Sequence, residues 1–140
     1  MKGNKGRAFF DTNVLIYAVA QDDPRGSQAE ELLAAGGVLS VQVLNEFVSV
    51  ARRKMQMSWP DVTEALGAIL DLCPSPLPIT METHQEALRI AATYGYGIYD
   101  ALVVSSALES ECVVLYSEDF QDGQVMDGKL TIRNPFRKSR

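Results

Sequence analysis

The chain has 140 residues, of which 46% are hydrophobic and 22% are charged, and these values are ordinary for one soluble globular domain. Its formal net charge of −5 argues against a protein that coats DNA through a basic face, but it is compatible with an acidic pocket neutralised by metal ions. No apolar run approaches the ~18 residues of a membrane span, and residues 1–6 lack the apolar core of a signal peptide. We therefore expect a cytoplasmic protein with a single domain over residues 1–140, in which 1–6 and 137–140 are flexible tails.

Apolar runs, capping residues and turn signals predict strands that alternate with helices along the chain. In chain order, the predicted elements are a strand at 7–10, helices at 13–20 and 24–35, a strand at 38–40, helices at 41–55 and 59–72, a short strand near 79, helices at 81–94 and 99–110, and strands at 112–117 and 130–133. Asp23, Ser58 and Thr80 are predicted to cap the helices that follow them. This alternation is typical of an α/β domain with three layers, in which helices cover both faces of a parallel sheet.

Two aspartates follow predicted strands directly. Asp11 comes after the first strand, and Asp119 comes after the strand at 112–117. Ligands of open parallel sheets bind beyond the carboxyl ends of the strands, so both residues are candidates for a site. Aspartate is also common in helix caps and turns, which is the alternative for each residue alone. One cap is enough for a helix, however, and Asp11 begins a run of three residues that can all cap.

Two further acids lie on predicted helices. At ~100° per residue, the helix at 99–110 places Asp100 between Val104 and Ala107, on the apolar face. A carboxylate there is costly to bury without a partner, unless it only satisfies free N–H groups in the first helical turn. Glu46 lies at the margin of the apolar face of the helix at 41–55. Because that helix directly follows a strand, we expect Glu46 to reach the same crevice, with a solvated helix face as the alternative.

Several carboxylates in one crevice require a cation. Two unit charges ~4 Å apart repel by about 4 kcal/mol at an effective dielectric constant of 20. Hard oxygen ligands favour Mg²⁺ or Mn²⁺, and the sequence has no set of cysteines and histidines that would indicate zinc. Mg²⁺ held by carboxylates typically serves phosphate chemistry. The acids therefore predict a metal-dependent reaction at a phosphate.

Four short motifs resemble those of the PIN-domain ribonucleases, above all the VapC-like toxins of toxin–antitoxin systems. The motifs are Asp11-Thr12-Asn13 after a strand, Glu46 in Gln-Val-Leu-Asn-Glu-Phe, Asp100 in Tyr-Asp-Ala-Leu and Asp119 in Tyr-Ser-Glu-Asp-Phe. The resemblance runs from about residue 8 to residue 136. It implies a parallel sheet of about five strands, an acidic pocket that binds one or two Mg²⁺ or Mn²⁺ ions, and endonucleolytic cleavage of RNA. It also implies a homodimer and a cognate antitoxin protein that inhibits the enzyme.

The resemblance also implies roles for individual residues. The metal-binding catalytic acids would be Asp11, Glu46, Asp100 and Asp119, and the supporting residues would be Thr12, Asn13, Ser117 and Asp122. The fourth acid is open, since Glu118, Asp119 and Asp122 all lie on one loop, and we choose Asp119 for its place after Ser117. The cations Arg52, Arg53 and Lys54 are candidate RNA contacts, with a solvated helix end as the alternative.

Two other functions fit part of the sequence. A phosphatase of the haloacid-dehalogenase type normally needs a second aspartate two residues after the first, and Asn13 stands at that position. A catalytically inactive PIN fold that only binds RNA or a protein is the other alternative. The retention of all four acids argues against it, and divalent-dependent cleavage of RNA separates the two.

Overall fold

The computed structural model describes residues 6–136, so the predicted tails lie outside the described residues except for Gly6. In chain order the elements are β1 (Arg7–Phe10), α1 (Thr12–Val19), α2 (Gly26–Ala34), α3 (Val41–Arg53), α4 (Trp59–Leu72), α5 (Met81–Tyr94), α6 (Ile98–Glu109), β2 (Cys112–Tyr116), β3 (Val125–Met126) and β4 (Leu130–Arg133). Consecutive residues of a strand face opposite sides of the sheet, and both Phe9 and Phe10 are fully buried. Both faces of the sheet are therefore covered, as the sequence predicts. No helix in this part of the chain is long and apolar enough to cross a membrane.

The sheet has four strands in the order β1-β2-β4-β3, and it is mixed rather than fully parallel. β1 pairs with β2 and β2 pairs with β4 in parallel, whereas β3 is antiparallel to β4. The predicted α/β fold with a mainly parallel sheet is confirmed, and it differs from the prediction in having four strands instead of about five and in the antiparallel direction of β3. The predicted strands at 38–40 and near 79 form only single parallel bridges, Phe9 with Val38 and Ser40 with Leu77. They stay short because α3 begins at residue 41 and leaves no room for a longer ladder.

The antiparallel strand β3 arises from a tight hairpin that the sequence analysis treats only as turns. Asp127 and Gly128 connect β3 to β4, and both have positive φ angles, 52° and 66°. Two consecutive residues of this kind form the hairpin turn whose twist matches that of the flanking strands. β3 has only two residues, too few to show the alternation by which strands are recognised.

Capping residues set the helix starts that the sequence predicts best. Ser58 accepts a hydrogen bond from the backbone N–H of Asp61, and Thr80 accepts one from Thr83, which confirms both predicted caps. The predicted cap of α2 is wrong. That helix begins at Gly26, and the Asp23 carboxylate instead accepts hydrogen bonds from the backbone and guanidinium of Arg25.

The pairing of β1 with β2 determines what lies at the carboxyl edge of the sheet. Phe10 is in register with Tyr116, so the next residues, Asp11 and Ser117, emerge side by side. The backbone N–H of Asp11 donates to the Tyr116 carbonyl at 3.0 Å, which extends the ladder to the point where α1 starts. The two strand ends that the sequence singles out are thus adjacent.

Gly37 offers a test of how tightly the chain packs against β1. A Cβ atom at this position would lie 2.4 Å from a ring carbon of Phe10 and 2.9 Å from the Ala8 carbonyl oxygen. Since overpacking a core typically costs 1–3 kcal/mol, we expect Gly37→Ala to lower the free energy of unfolding by about that amount. The matched control is Gly67→Ala in α4, where the space is open, and it should raise the free energy of unfolding by about 0.5–1 kcal/mol. Urea unfolding measures both, and equal responses would contradict the packing argument.

Candidate active site

Asp11 is the N-cap of α1 and is only 4% exposed. Its Oδ1 accepts a hydrogen bond from the backbone N–H of Thr12, and its Oδ2 accepts one from the Ser117 hydroxyl, both at 2.7 Å. The capping role weighed in the sequence analysis is therefore real. The carboxylate can still bind a further partner, because each of its oxygens has two lone pairs and accepts only one hydrogen bond here.

The pKa of Asp11 is raised from 3.8 to about 6. Burial is the largest cause, because it disfavours the charged carboxylate. The hydrogen bonds from Ser117 and Thr12 act in the opposite direction, while the negative charges of Asp119 and Glu46 raise the pKa further. Asp11 thus lies in the electrostatic field of two other predicted site residues.

The Ser117 hydroxyl joins three of the predicted residues. While it donates to Asp11, its Oγ accepts from the backbone N–H of Asp119 at 3.0 Å and from the Asn13 amide at 3.4 Å. The Asn13 amide also donates to Asp119 Oδ2 at 3.3 Å. The Oδ1 atom of Asn13 is buried and has no hydrogen-bond partner among the described residues. A hard oxygen atom is therefore available inside the network.

Glu46 approaches this network from α3. Its Oε1 accepts a hydrogen bond from the Thr12 hydroxyl, and its Oε2 accepts one from the Gln42 amide, each at 3.1 Å. Thr12 therefore links Glu46 to the helix start that Asp11 caps. Gln42 was missed in the sequence analysis, although its position four residues before Glu46 places both side chains on one face of α3.

Asp100 lies at the edge of the group. It occupies the first turn of α6 and is exposed, so the prediction that it points into the core is wrong. The reason is that α6 is not amphipathic, since residues 101–107 are buried on all sides of the helix. Partial burial of its carboxyl group, followed by the charges of Asp119 and Glu46, nevertheless raises the pKa of Asp100. Asp100 thus shares the field of the other acids without a direct bond to them among the residues described.

The three acids of the loop after β2 have different partners. Glu118 accepts a hydrogen bond from the Tyr17 hydroxyl and lies 3.7 Å from the Arg25 guanidinium. Burial of Tyr17 and this contact with Glu118 raise the pKa of Tyr17 to about 12. Asp122 accepts a hydrogen bond from the backbone N–H of Asn134 at 2.8 Å. Only Asp119 contacts the Asn13 and Ser117 network.

A cleft of about 500 Å³ lies over the network, and both acidic and basic side chains line it. Glu46, Glu118 and Asp119 contribute acidic groups, and Arg53 and Lys54 contribute cations from the end of α3. Arg52, the third predicted RNA contact, points elsewhere.

The guanidinium of Arg52 lies 4.4 Å from the centre of the Trp59 ring and donates to the Met57 carbonyl.

Within residues 6–136, no three histidine, cysteine, aspartate or glutamate side chains are grouped closely enough to hold a metal ion. The carboxylates instead hydrogen-bond to neutral neighbours.

Comparison with known proteins identifies the family. The profile of the PIN domain matches residues 8–122. The chain is a PIN-domain protein. This confirms the family that the four motifs predict. No curated protein matches the chain.

Solved structures with the same fold include several from toxin–antitoxin systems. A toxin–antitoxin complex from Klebsiella pneumoniae has a TM-score of 0.70 at 19% identity, covering 94% of this chain and 99% of that one. VapC20 of Mycobacterium tuberculosis, a toxin that cleaves the sarcin–ricin loop, has a TM-score of 0.67 at 18% identity, covering 80% and 89%. VapBC2 of Rickettsia felis bound to a promoter DNA fragment has a TM-score of 0.64 at 19% identity, covering 90% and 96%. At these identities the likeness establishes the fold of the PIN domain.

The raised pKa of Asp11 makes a prediction about stability. An acid whose pKa is higher in the folded state than in the unfolded chain stabilises the fold below its unfolded pKa, and that contribution is lost as the pH rises through its folded pKa. For Asp11, this contribution to stability is lost between about pH 3.8 and about pH 6. A shift of roughly two units corresponds to about 3 kcal/mol. Asp11→Asn keeps an acceptor for the Thr12 N–H but removes the titration.

We therefore expect the wild type to lose stability relative to Asp11→Asn as the pH rises from about 4 to about 7 in the presence of EDTA. Urea unfolding across this pH range measures the difference in unfolding free energy between the two proteins. The contributions of groups that titrate in both proteins cancel in that difference. A difference in unfolding free energy that does not change with pH would contradict the assignment.

Proposed function

We propose that this PIN domain is a divalent-metal-dependent endoribonuclease and the toxin of a toxin–antitoxin pair. The observation that carries the proposal is the network at the carboxyl edge of the sheet, where the Ser117 hydroxyl joins Asp11 to Asp119 and Asn13. Glu46 and Asp100 lie within the electrostatic reach of the same acids. An acidic network at this edge, with the cations Arg53 and Lys54 lining the same cleft, suits binding and cleavage of a polyanion.

The chemistry of the donors supports Mg²⁺ or Mn²⁺ as the cofactor. Asp11, Glu46, Asp100 and Asp119 would hold the ion after moving closer together than they lie in this structure, and the unpartnered Oδ1 of Asn13 adds a further hard oxygen. When bound, such an ion lowers the pKa of a water molecule and neutralises charge on phosphate oxygens. Ser117 and Asn13 orient Asp119, while Thr12 and Gln42 orient Glu46. Among the three acids of the loop, we assign Asp119 to the site because Glu118 and Asp122 have partners outside it.

The proposed protein partners are a cognate antitoxin and a second copy of the chain. One of the similar structures is a toxin–antitoxin complex by description and another is a toxin, which supports an antitoxin here. A guanidinium from such a protein would pair with the carboxylates of the cleft. Exposed apolar side chains at the start of α3, just before α5 and in α5 support a homodimer, namely Val41, Ile79, Met81 and Leu88. A sedimentation measurement of mass tests the homodimer.

Cleavage of RNA tests the proposed activity and the choice of acid. Purified protein should cut RNA with Mg²⁺ or Mn²⁺ and stop in EDTA. Asp119→Asn should lower the rate by about 100-fold or more, the range found when one group that stabilises a transition state is removed. The matched control is Glu118→Gln on the same loop, which should stay near the wild-type rate because Tyr17 and Arg25 hold Glu118 outside the network.

Either of two results would overturn this assignment. Cleavage at the same sites in EDTA would remove the metal from the proposal. RNA binding without cleavage under any divalent condition would support the inactive, RNA-binding alternative.

The salt dependence of RNA binding tests the cations of the cleft. The logarithm of the affinity for single-stranded RNA falls with the logarithm of salt concentration by about 0.7 per neutralised phosphate. If Arg53 and Lys54 each contact a phosphate, replacing both by alanine should reduce this slope by about 1.4. Arg52→Ala is the control, since its guanidinium stacks on Trp59 and should leave the slope unchanged. Fluorescence anisotropy in EDTA at several salt concentrations gives the slopes, and equal losses in both variants would count against the assignment.

A further inference from the structure

A second, shallower cleft adjoins the candidate active site and has a different chemical character. It has a volume of about 340 Å³ and is lined by Gln42, Asn45, Glu46, Ser49 and Tyr99. Glu46 and Ser49 line both clefts, so the second cleft adjoins the first along these two side chains. Apart from Glu46, its lining is uncharged: two amides, one hydroxyl and one phenol ring.

Tyr99 is the most unusual residue of this second cleft. Its side chain belongs to the first turn of α6, directly before Asp100, and the residue is 62% exposed. In the part of the chain that the structure describes, its ring has no aromatic or cationic partner and its hydroxyl has no hydrogen bond. By contrast, the ring of Tyr17 in α1 packs against Phe136, and the ring of Tyr96 in the loop after α5 packs against Phe120. A large, mostly exposed ring that lacks an aromatic or hydrogen-bonding partner among the described residues, beside an acid of the site, is available to a ligand.

The amides beside Tyr99 are suited to uncharged polar edges. Asn45 is exposed and has no side-chain partner among residues 6–136, so it can both donate and accept. Gln42 donates through its amide nitrogen to Glu46, which fixes its orientation and leaves its oxygen as an acceptor. No cation lines the second cleft to offset the negative charge of Glu46, which disfavours a phosphate there, whereas Arg53 and Lys54 line the neighbouring cleft. The two clefts thus differ in the part of a nucleotide that they suit.

We propose that the second cleft is a base-recognition subsite, in which one unpaired RNA base next to the cleavage position stacks on Tyr99 and is read by Asn45 and Gln42. Proteins that select single-stranded RNA stack bases on aromatic side chains and hydrogen-bond to base edges. The backbone of the RNA runs over the first cleft, and the base turns into the second. This inference rests on the proposed function, because it names how the same site selects its substrate.

Binding of single-stranded RNA in EDTA tests the subsite without any catalysis. Stacking on an aromatic side chain accounts for roughly 5-fold to 150-fold in affinity, so Tyr99→Ala should weaken binding by a factor in that range. Tyr99→Phe and Tyr99→Trp should bind nearly as well as the wild type, since they keep a flat ring. Val125→Ala is the control, because Val125 is 51% exposed and lines neither cleft. Asn45→Ala should keep affinity but reduce discrimination among RNAs that differ at one base.

A stacked base also gives a spectroscopic signature. RNA that carries 2-aminopurine at successive positions should show quenching at one position on binding, and Tyr99→Ala should abolish that quenching. The subsite is excluded if Tyr99→Ala binds and quenches like the wild type, or if Tyr99→Phe is as weak as Tyr99→Ala. A change in the mass of Tyr99→Ala would show instead that Tyr99 lies between two copies of the chain.

These results separate the subsite from the proposed function. A wild type that binds no RNA removes both proposals. A wild type that binds and cleaves RNA, beside a Tyr99→Ala variant that is unchanged, removes only the subsite.

Discussion

The candidate site depends on the hydroxyl group of Ser117. This one oxygen donates to Asp11 and accepts from the Asp119 backbone and the Asn13 amide, which is the full capacity of a hydroxyl. It can do so because β1 and β2 pair with Phe10 opposite Tyr116, so that Asp11 and Ser117 leave the sheet together. A slip of one residue would turn each side chain of β1 to the other face and separate the two. The register of one strand pair therefore sets the geometry of the site.

Placing an acid at this point is unfavourable for folding. Asp11 is almost fully buried, and the negative charges of Asp119 and Glu46 add to the effect of burial on its pKa. Two hydrogen bonds oppose the shift but do not cancel it. Around Asp11 lies a core that includes the fully buried side chains Phe9, Phe10 and Leu115. Burial of this core offsets the local loss of stability at Asp11. Groups that are unfavourable for stability are expected where function requires them, so the energetics agree with a functional rather than a purely structural role for Asp11.

The sequence predicts those features that depend on local chemistry. Ser58 and Thr80 cap their helices as expected, because a cap needs only its own turn. The closeness of Asp11 to the end of β2 follows from a general property of parallel sheets. The prediction for Asp100 failed because helical phase distinguishes an apolar face only when the helix has a polar one, and α6 is buried on all sides. The partners of Arg25 could not be predicted, since Tyr17 and Glu118 reach it only through the tertiary fold.

The loop after β2 shows why residue type alone cannot assign a catalytic acid. Glu118, Asp119 and Asp122 lie within five positions, and any of them satisfies the pattern of an acid after a strand. Their partners distinguish them. The Tyr17 hydroxyl and the Arg25 guanidinium hold Glu118 against α1, and a backbone N–H holds Asp122 at the end of β4. Both are thereby kept from adding their charge to the network, where a third carboxylate beside Asp11 would raise its pKa further. The positive charge of Arg25 thus serves the site indirectly, by pairing with Glu118, which lines the cleft but lies outside the Ser117 network.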